Sequence, residues 1–97
     1  MIKVLLADDH QMFIDGMKAL LNDSDGISVV SEALNGLEVL EKLKETSVDL
    51  VILDINMPEM DGVETTIAMQ ESHPNVKVLI LSMYNEKEFI AKILNAG

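Results

Sequence analysis

Three apolar runs in this chain stop on polar side chains that could share one site. Ile2 to Ala7 ends in the adjacent carboxylates Asp8 and Asp9, Leu50 to Leu53 ends in Asp54, and Val76 to Leu81 ends in Ser82. Short runs of branched aliphatic residues read as strands buried on both faces of a parallel sheet. In such sheets the ligand crevice lies beyond the carboxyl ends of the strands. Three carboxylates gathered there repel one another by about 4 kcal/mol per pair at 4 Å and an effective dielectric typical of a protein surface. No Lys or Arg lies near these strand ends in sequence. An all-oxygen set suits a hard divalent cation such as Mg²⁺, which keeps several waters. A cation held this way offsets the charge of a phosphoryl group, and Asp54 is the natural nucleophile to accept that group.

Each of these residues also has a plainer reading. Asp54 alone suits a turn, and Asp8-Asp9 alone suits a solvated pair in which Asp9 caps a helix. Ser82 alone is an ordinary turn hydroxyl. His10 and His73 read as surface residues, and Tyr84 either shades the site or stands exposed on a loop. What raises the acids and Ser82 above these readings is that all of them fall at strand ends.

The elements that must position them follow from the periodicity. Between the first and third runs, Ile27 to Ala33 alternates in polarity, as a half-exposed edge strand does. A helix begins at Asp9 or His10, with Phe13, Met17, Leu20 and Leu21 as its apolar stripe. A second comes after the Asn35-Gly36 turn over Leu37 to Lys44, with Leu37, Leu40 and Leu43 as its stripe. Pro58 stops the third strand, and Asp61-Gly62 opens a third helix, with Val63, Ile67 and Gln70 on one face, that ends before Pro74. A fourth helix is predicted over Glu86 to Ala96. The pattern βαβαβαβα predicts an α/β fold, a doubly wound parallel sheet with helices on both faces.

Composition narrows the function. The 97 residues make one small domain, and 3% aromatic content leaves an aliphatic core in which the seven Met are gap fillers. The net charge of -10 argues against this chain itself holding nucleic acid or an anionic membrane. With no Cys there is no disulfide framework or thiolate site. No apolar run reaches the length of a membrane span and the opening residues show no secretory signal, so the expectation is a cytoplasmic protein.

Taken together, Asp8-Asp9, then Asp54 with Met57-Pro58 and Asp61-Gly62, then Ser82, resemble the motifs of bacterial response-regulator receiver domains over the whole chain. Ala7-Asp8-Asp9-His10 and Leu81-Ser82-Met83 resemble the NarL/FixJ-like subfamily, whose receivers precede a LuxR-type helix-turn-helix domain. The resemblance implies a flavodoxin-like fold of sheet order 2-1-3-4. It also implies that Asp9, Asp54 and the Asn56 carbonyl bind Mg²⁺ directly and Asp8 through a water. Asp54 would accept a phosphoryl group from a sensor histidine kinase, and Ser82 would contact that group and swing inward as a switch. Residues 1–97 would then be a receiver lacking its fifth βα unit and that unit's Lys, with DNA contacted only through an output domain outside this chain.

Two other classes compete. A Mg²⁺-dependent phosphohydrolase with an aspartate nucleophile places a second Asp two residues on as general acid/base; Asn56 stands there and exchanges no proton near neutral pH. The expectation is therefore a switch and not an enzyme, with only self-phosphotransfer and slow autodephosphorylation. A pure interaction module would bind neither Mg²⁺ nor a phosphoryl mimic. Strand four, with Lys77 as its one charge, is expected to be an unprotected sheet edge and to drive a homodimer or higher oligomer. Light scattering at micromolar concentration tests this; a stable monomer with strand-four amides protected from exchange would refute it.

Overall fold

The computed structural model describes residues 1–81. Seven elements alternate along them: β1 (Ile2–Ala7), α1 (Gln11–Asn22), β2 (Ile27–Ala33), α2 (Gly36–Glu45), β3 (Leu50–Asp54), α3 (Gly62–Ser72) and β4 (Lys77–Leu81). All strand pairs are parallel, in the order β2-β1-β3-β4. This is the parallel sheet expected from the alternation, in the flavodoxin-like order that the receiver resemblance implies. Ser82, Tyr84 and the helix predicted over Glu86 to Ala96 lie outside the described residues. Among the described residues, no helix is long and apolar enough to cross a membrane.

The sheet has two buried faces because successive side chains of a strand point to opposite sides. Val4 and Leu6 of β1 and Ile52 of β3 pack with Ile14, Met17 and Leu21 of α1. Leu5 and Ala7 of β1 and Val51 and Leu53 of β3 pack on the other side with Val39 and Leu43 of α2 and Met69 of α3. Among the described strands β2 and β4 form the edges, and both are only partly buried, as the alternation in Ile27 to Ala33 predicts for β2. A bulge interrupts the β1–β2 ladder, since Val4 pairs with Val29 and Leu5 with Ser31.

Each helix stripe departs from the sequence reading. In α1 the buried line is Ile14, Met17 and Leu21, while Leu20 is exposed. In α2, Val39 joins Leu43 in the core and Leu37 faces outward. The largest difference is in α3, where Val63 and Ile67 are 51% and 56% exposed and the buried residues are Gly62, Thr65 and Met69. The cause is close approach between α2 and α3. A Cβ at Gly36 would collide with the Thr65 hydroxyl and stand 2.7 Å from the Met60 carbonyl oxygen, and the Gly36 N–H donates to that same oxygen at 3.0 Å. Space that tight selects small residues. Thr65 is tolerated there because its hydroxyl donates to the Asp61 carbonyl at 2.6 Å, so no unsatisfied polar group is buried. The fourth strand begins at Lys77, because Val76 is used in a turn, its N–H donating to the His73 carbonyl.

This reversal of α3 is measurable. Met69→Ala is expected to lower the unfolding free energy by about 2–5 kcal/mol, whereas Ile67→Ala on the outward face should change it by about 0.5 kcal/mol or less. Urea denaturation of the two variants decides it, and comparable losses would place Ile67 in the core.

Candidate functional site

The register of the central strands builds the site. Leu6 pairs with Ile52 and Ala7 with Leu53, so one step further along the ladder Asp8 comes opposite Asp54. The strand alternation that sends Leu6 and Ile52 toward α1 also sends Asp8 and Asp54 to that face. Both carboxylates are buried, each 1% exposed, whereas the Asp9 side chain is 34% exposed at the mouth. The backbone under them is fixed from both sides. The Asp8 N–H donates to the Ala33 carbonyl of β2, and the Ile55 N–H donates to the Leu81 carbonyl of β4.

The acids converge, and a residue read from sequence as surface joins them. One ligand atom each from Asp8, Asp9, His10 and Asp54 lies within 4.8 Å of the other three. His10 is the N-cap of α1, with its carbonyl accepting from the Phe13 and Ile14 N–H groups. Its backbone N–H donates to Asp8 Oδ1 at 2.9 Å. Its ring Nδ1 stands 2.8 Å from Asp8 Oδ1 and 2.9 Å from Asp9 Oδ1, with the side chain 61% exposed. Carboxylates only accept, so Nδ1 carries the hydrogen in these contacts. Asp9 therefore does not cap α1, and the imidazole serves as a local partner for two of the acids.

The loop after β3 is held by unusual backbone. Its Met60 N–H donates back to the Pro58 carbonyl at 2.7 Å across Glu59, whose φ is +68°. A two-residue closure with a positive central φ is the rarer, strained hand of the γ-turn. The loop ends on Asp61, which caps α3 reciprocally: its carboxylate accepts from the Glu64 N–H and the Glu64 carboxylate accepts from the Asp61 N–H. Gly62 then lies directly against the end of β3, its N–H donating to the Ile55 carbonyl at 2.8 Å. A Cβ at Gly62 would stand 2.5 Å from the Asp54 carbonyl oxygen and 2.9 Å from Ile55 Cα. The Asp61-Gly62 pair thus clamps the backbone that carries Asp54. Asn56 is exposed in the same loop, two residues beyond Asp54.

The family model for the response regulator receiver domain matches residues 4–97. The chain belongs to that family. The receiver is 41% identical over 97 residues to the response regulator GacA of Pseudomonas syringae pv. syringae (strain B728a), covering 100% of this chain and 45% of GacA. It is 33% identical over 96 residues to the transcriptional regulatory protein DegU of Brevibacillus brevis, covering 99% of this chain and 41% of DegU. Among solved structures, the signal receiver domain of NarL from Mycobacterium tuberculosis superposes with a TM-score of 0.79 at 30% identity, covering 96% of this chain and 77% of that one. The response regulator domain of Thermotoga maritima CheB gives 0.81 at 29% identity, covering 97% and 72%. The receiver spans less than half the length of the curated relatives. Their kinship agrees with the NarL/FixJ-like resemblance in Ala7-Asp8-Asp9-His10.

Of the residues singled out in the sequence, the structure gathers Asp8, Asp9 and Asp54 and leaves Asn56 beside them on the loop. Sequence reasoning missed His10. The available signal was its place between the acidic pair and the first helical turn, where an N-cap side chain projects back toward the strand end.

Two of the helical glycines, Gly62 and Gly16, separate packing from propensity. Gly62→Ala is expected to lose about 1–3 kcal/mol through overpacking against β3 and to weaken divalent-cation binding along with it. Gly16→Ala, with nothing within 4 Å of the new Cβ, should gain up to about 1 kcal/mol from helix propensity. Urea denaturation and cation titration of both variants check this, and an unperturbed Gly62→Ala protein would remove the clamp.

Proposed function

We propose that this receiver is the phosphorylation-dependent switch of a two-component system, taking a phosphoryl group on Asp54 from a phosphohistidine of a sensor kinase. The observation that supports this most is the convergence of Asp8, Asp9 and Asp54 within 4.8 Å at the ends of the central strands. In the transfer the P–N bond to the kinase imidazole breaks and a P–O bond to an Asp54 carboxylate oxygen forms. The donor set fits Mg²⁺, since a hard cation takes carboxylate and carbonyl oxygens. Asp9, Asp54 and the Asn56 carbonyl would hold it directly and Asp8 through a water. When bound, Mg²⁺ supplies positive charge that the described rim lacks.

The protein's own residues do the rest. Asp54, buried at the end of β3, is held in line by the Asp61-Gly62 clamp, and Ser82 contacts the transferred group and moves with it as the switch. Asn56 offers no general base, so the acyl phosphate persists long enough to signal and the protein is not a phosphatase. Residues 1–97 are the regulatory part of a longer regulator in this reading, consistent with relatives named as transcriptional regulators that extend to more than twice this length. DNA would be met only by a helix-turn-helix output domain outside this chain, in a cytoplasmic protein that acts as a dimer or higher oligomer.

Exposure to a small phosphodonor with Mg²⁺ should add one acid- and base-labile phosphoryl group, located at Asp54 by mass spectrometry. The Asp54→Asn protein should acquire none. A phosphate retained in Asp54→Asn, or multiple-turnover phosphatase activity in the wild type, would overturn the assignment.

A further inference from the structure

We propose that His10 is a positioning residue of the cation site: its Nδ1–H ties Asp9 to the buried Asp8 and so fixes the direction in which the two carboxylates meet the cation, without touching the cation itself. The inference rests on the metal-binding reading of the rim and adds to it the group that sets the acids in place beforehand.

The contacts of one ring nitrogen carry it. His10 Nδ1 lies 2.8 Å from Asp8 Oδ1 and 2.9 Å from Asp9 Oδ1, and a carboxylate only accepts, so the ring is the donor to this pair. Asp8 is already confined by burial, and its Oδ1 also accepts the His10 backbone N–H at 2.9 Å. Asp9 gains more. Its side chain is 34% exposed at the mouth, where a carboxylate otherwise exchanges among rotamers, and the ring refers its position to that of Asp8. A metal-ligating carboxylate ordered beforehand by an outer hydrogen bond binds its ion more tightly, and such partners set affinity on a scale of about 10–100-fold.

The ring is spared from the two ordinary tasks of a residue at this place. An N-cap side chain commonly accepts a helical N–H, and the His10 ring makes no such bond. The main chain does the capping instead, the His10 carbonyl accepting from the Phe13 and Ile14 N–H groups. With its side chain 61% exposed, the ring also adds little to the core. Its approach to the acids is therefore a by-product of neither capping nor packing. A donor of this kind helps the site only if it stays on the carboxylates when the cation arrives.

Long-range proton–nitrogen correlation spectra of the wild type should show the hydrogen on His10 Nδ1 both without Mg²⁺ and at saturating Mg²⁺. Titration calorimetry should show Mg²⁺ bound about tenfold more weakly by His10→Phe, which keeps a ring and loses the donor. His10→Asn, whose amide nitrogen stands as many bonds from Cβ as Nδ1 does, should regain most of that loss, which a side chain so much smaller would not do if the ring acted by packing. The wild-type spectra need no variant, so a folding defect cannot mask the answer. Loss of the Nδ1 hydrogen on adding Mg²⁺, a folded His10→Phe protein that binds Mg²⁺ as tightly as the wild type or more tightly, or a His10→Asn protein as weak as His10→Phe would each overturn the role of His10 while leaving the acidic site intact. A wild type that binds no Mg²⁺ at this rim would overturn the metal-binding reading with it.

Discussion

The rest of this structure depends on one electrostatic conflict, the burial of two carboxylates side by side with a third at their mouth. Asp8 and Asp54 end adjacent parallel strands in register and are almost wholly removed from water. Like charges brought this close repel one another. A fold chosen for stability alone would not place them there. In the function proposed above, their position is that of a site completed by a cation and then by a phosphoryl group. Strain kept at a functional site and compensated elsewhere is the general pattern. Here the compensation comes from two aliphatic layers packed on a four-stranded sheet.

The device that holds the conflict in place is backbone rather than side chain. The Asp8 and Ile55 N–H groups are fixed by neighbouring strands, and Gly62 lies against the Asp54 carbonyl with no room for a side chain. A left-handed residue, Glu59, closes the loop between them. With the main chain fixed at both strand ends, a change at the Asp54 carboxylate can be expressed through β4, because the Leu81 carbonyl is bonded to the residue next to Asp54.

How much of this was legible in the sequence depends on which physical signal each residue carries. The strands and rim acids were legible because Leu50 to Leu53 is a run too apolar to face water and Asp54 breaks it abruptly, whereas the strand order came only from the receiver resemblance. The helix faces were less so. In α1, Phe13 and Ile14 are both apolar and a period of 3.6 residues does not choose between them. In α2 the i, i+3 spacing of Leu37, Leu40 and Leu43 outweighed the single Val39. In α3 the buried face is Gly62, Thr65 and Met69: Gly62 lies against the end of β3 and Thr65 against Gly36, and polarity patterning is blind to positions selected for small size. His10 escaped for a different reason: its place between the two acids and the first helical turn was visible, but its side chain read as a surface imidazole, whereas the ring of this extended N-cap residue lies back on the acids before it.

The central claim, that the rim acids are a source of instability relieved by a divalent cation, is tested most directly by the unfolding free energy measured with and without Mg²⁺. The wild type should gain stability as RT ln(1 + [Mg²⁺]/Kd), about 2.7 kcal/mol at a hundredfold excess over Kd. Asp9→Asn should be more stable than the wild type without Mg²⁺ and gain little when it is added. A wild type indifferent to Mg²⁺, together with an Asp9→Asn protein no more stable than it, would contradict the claim.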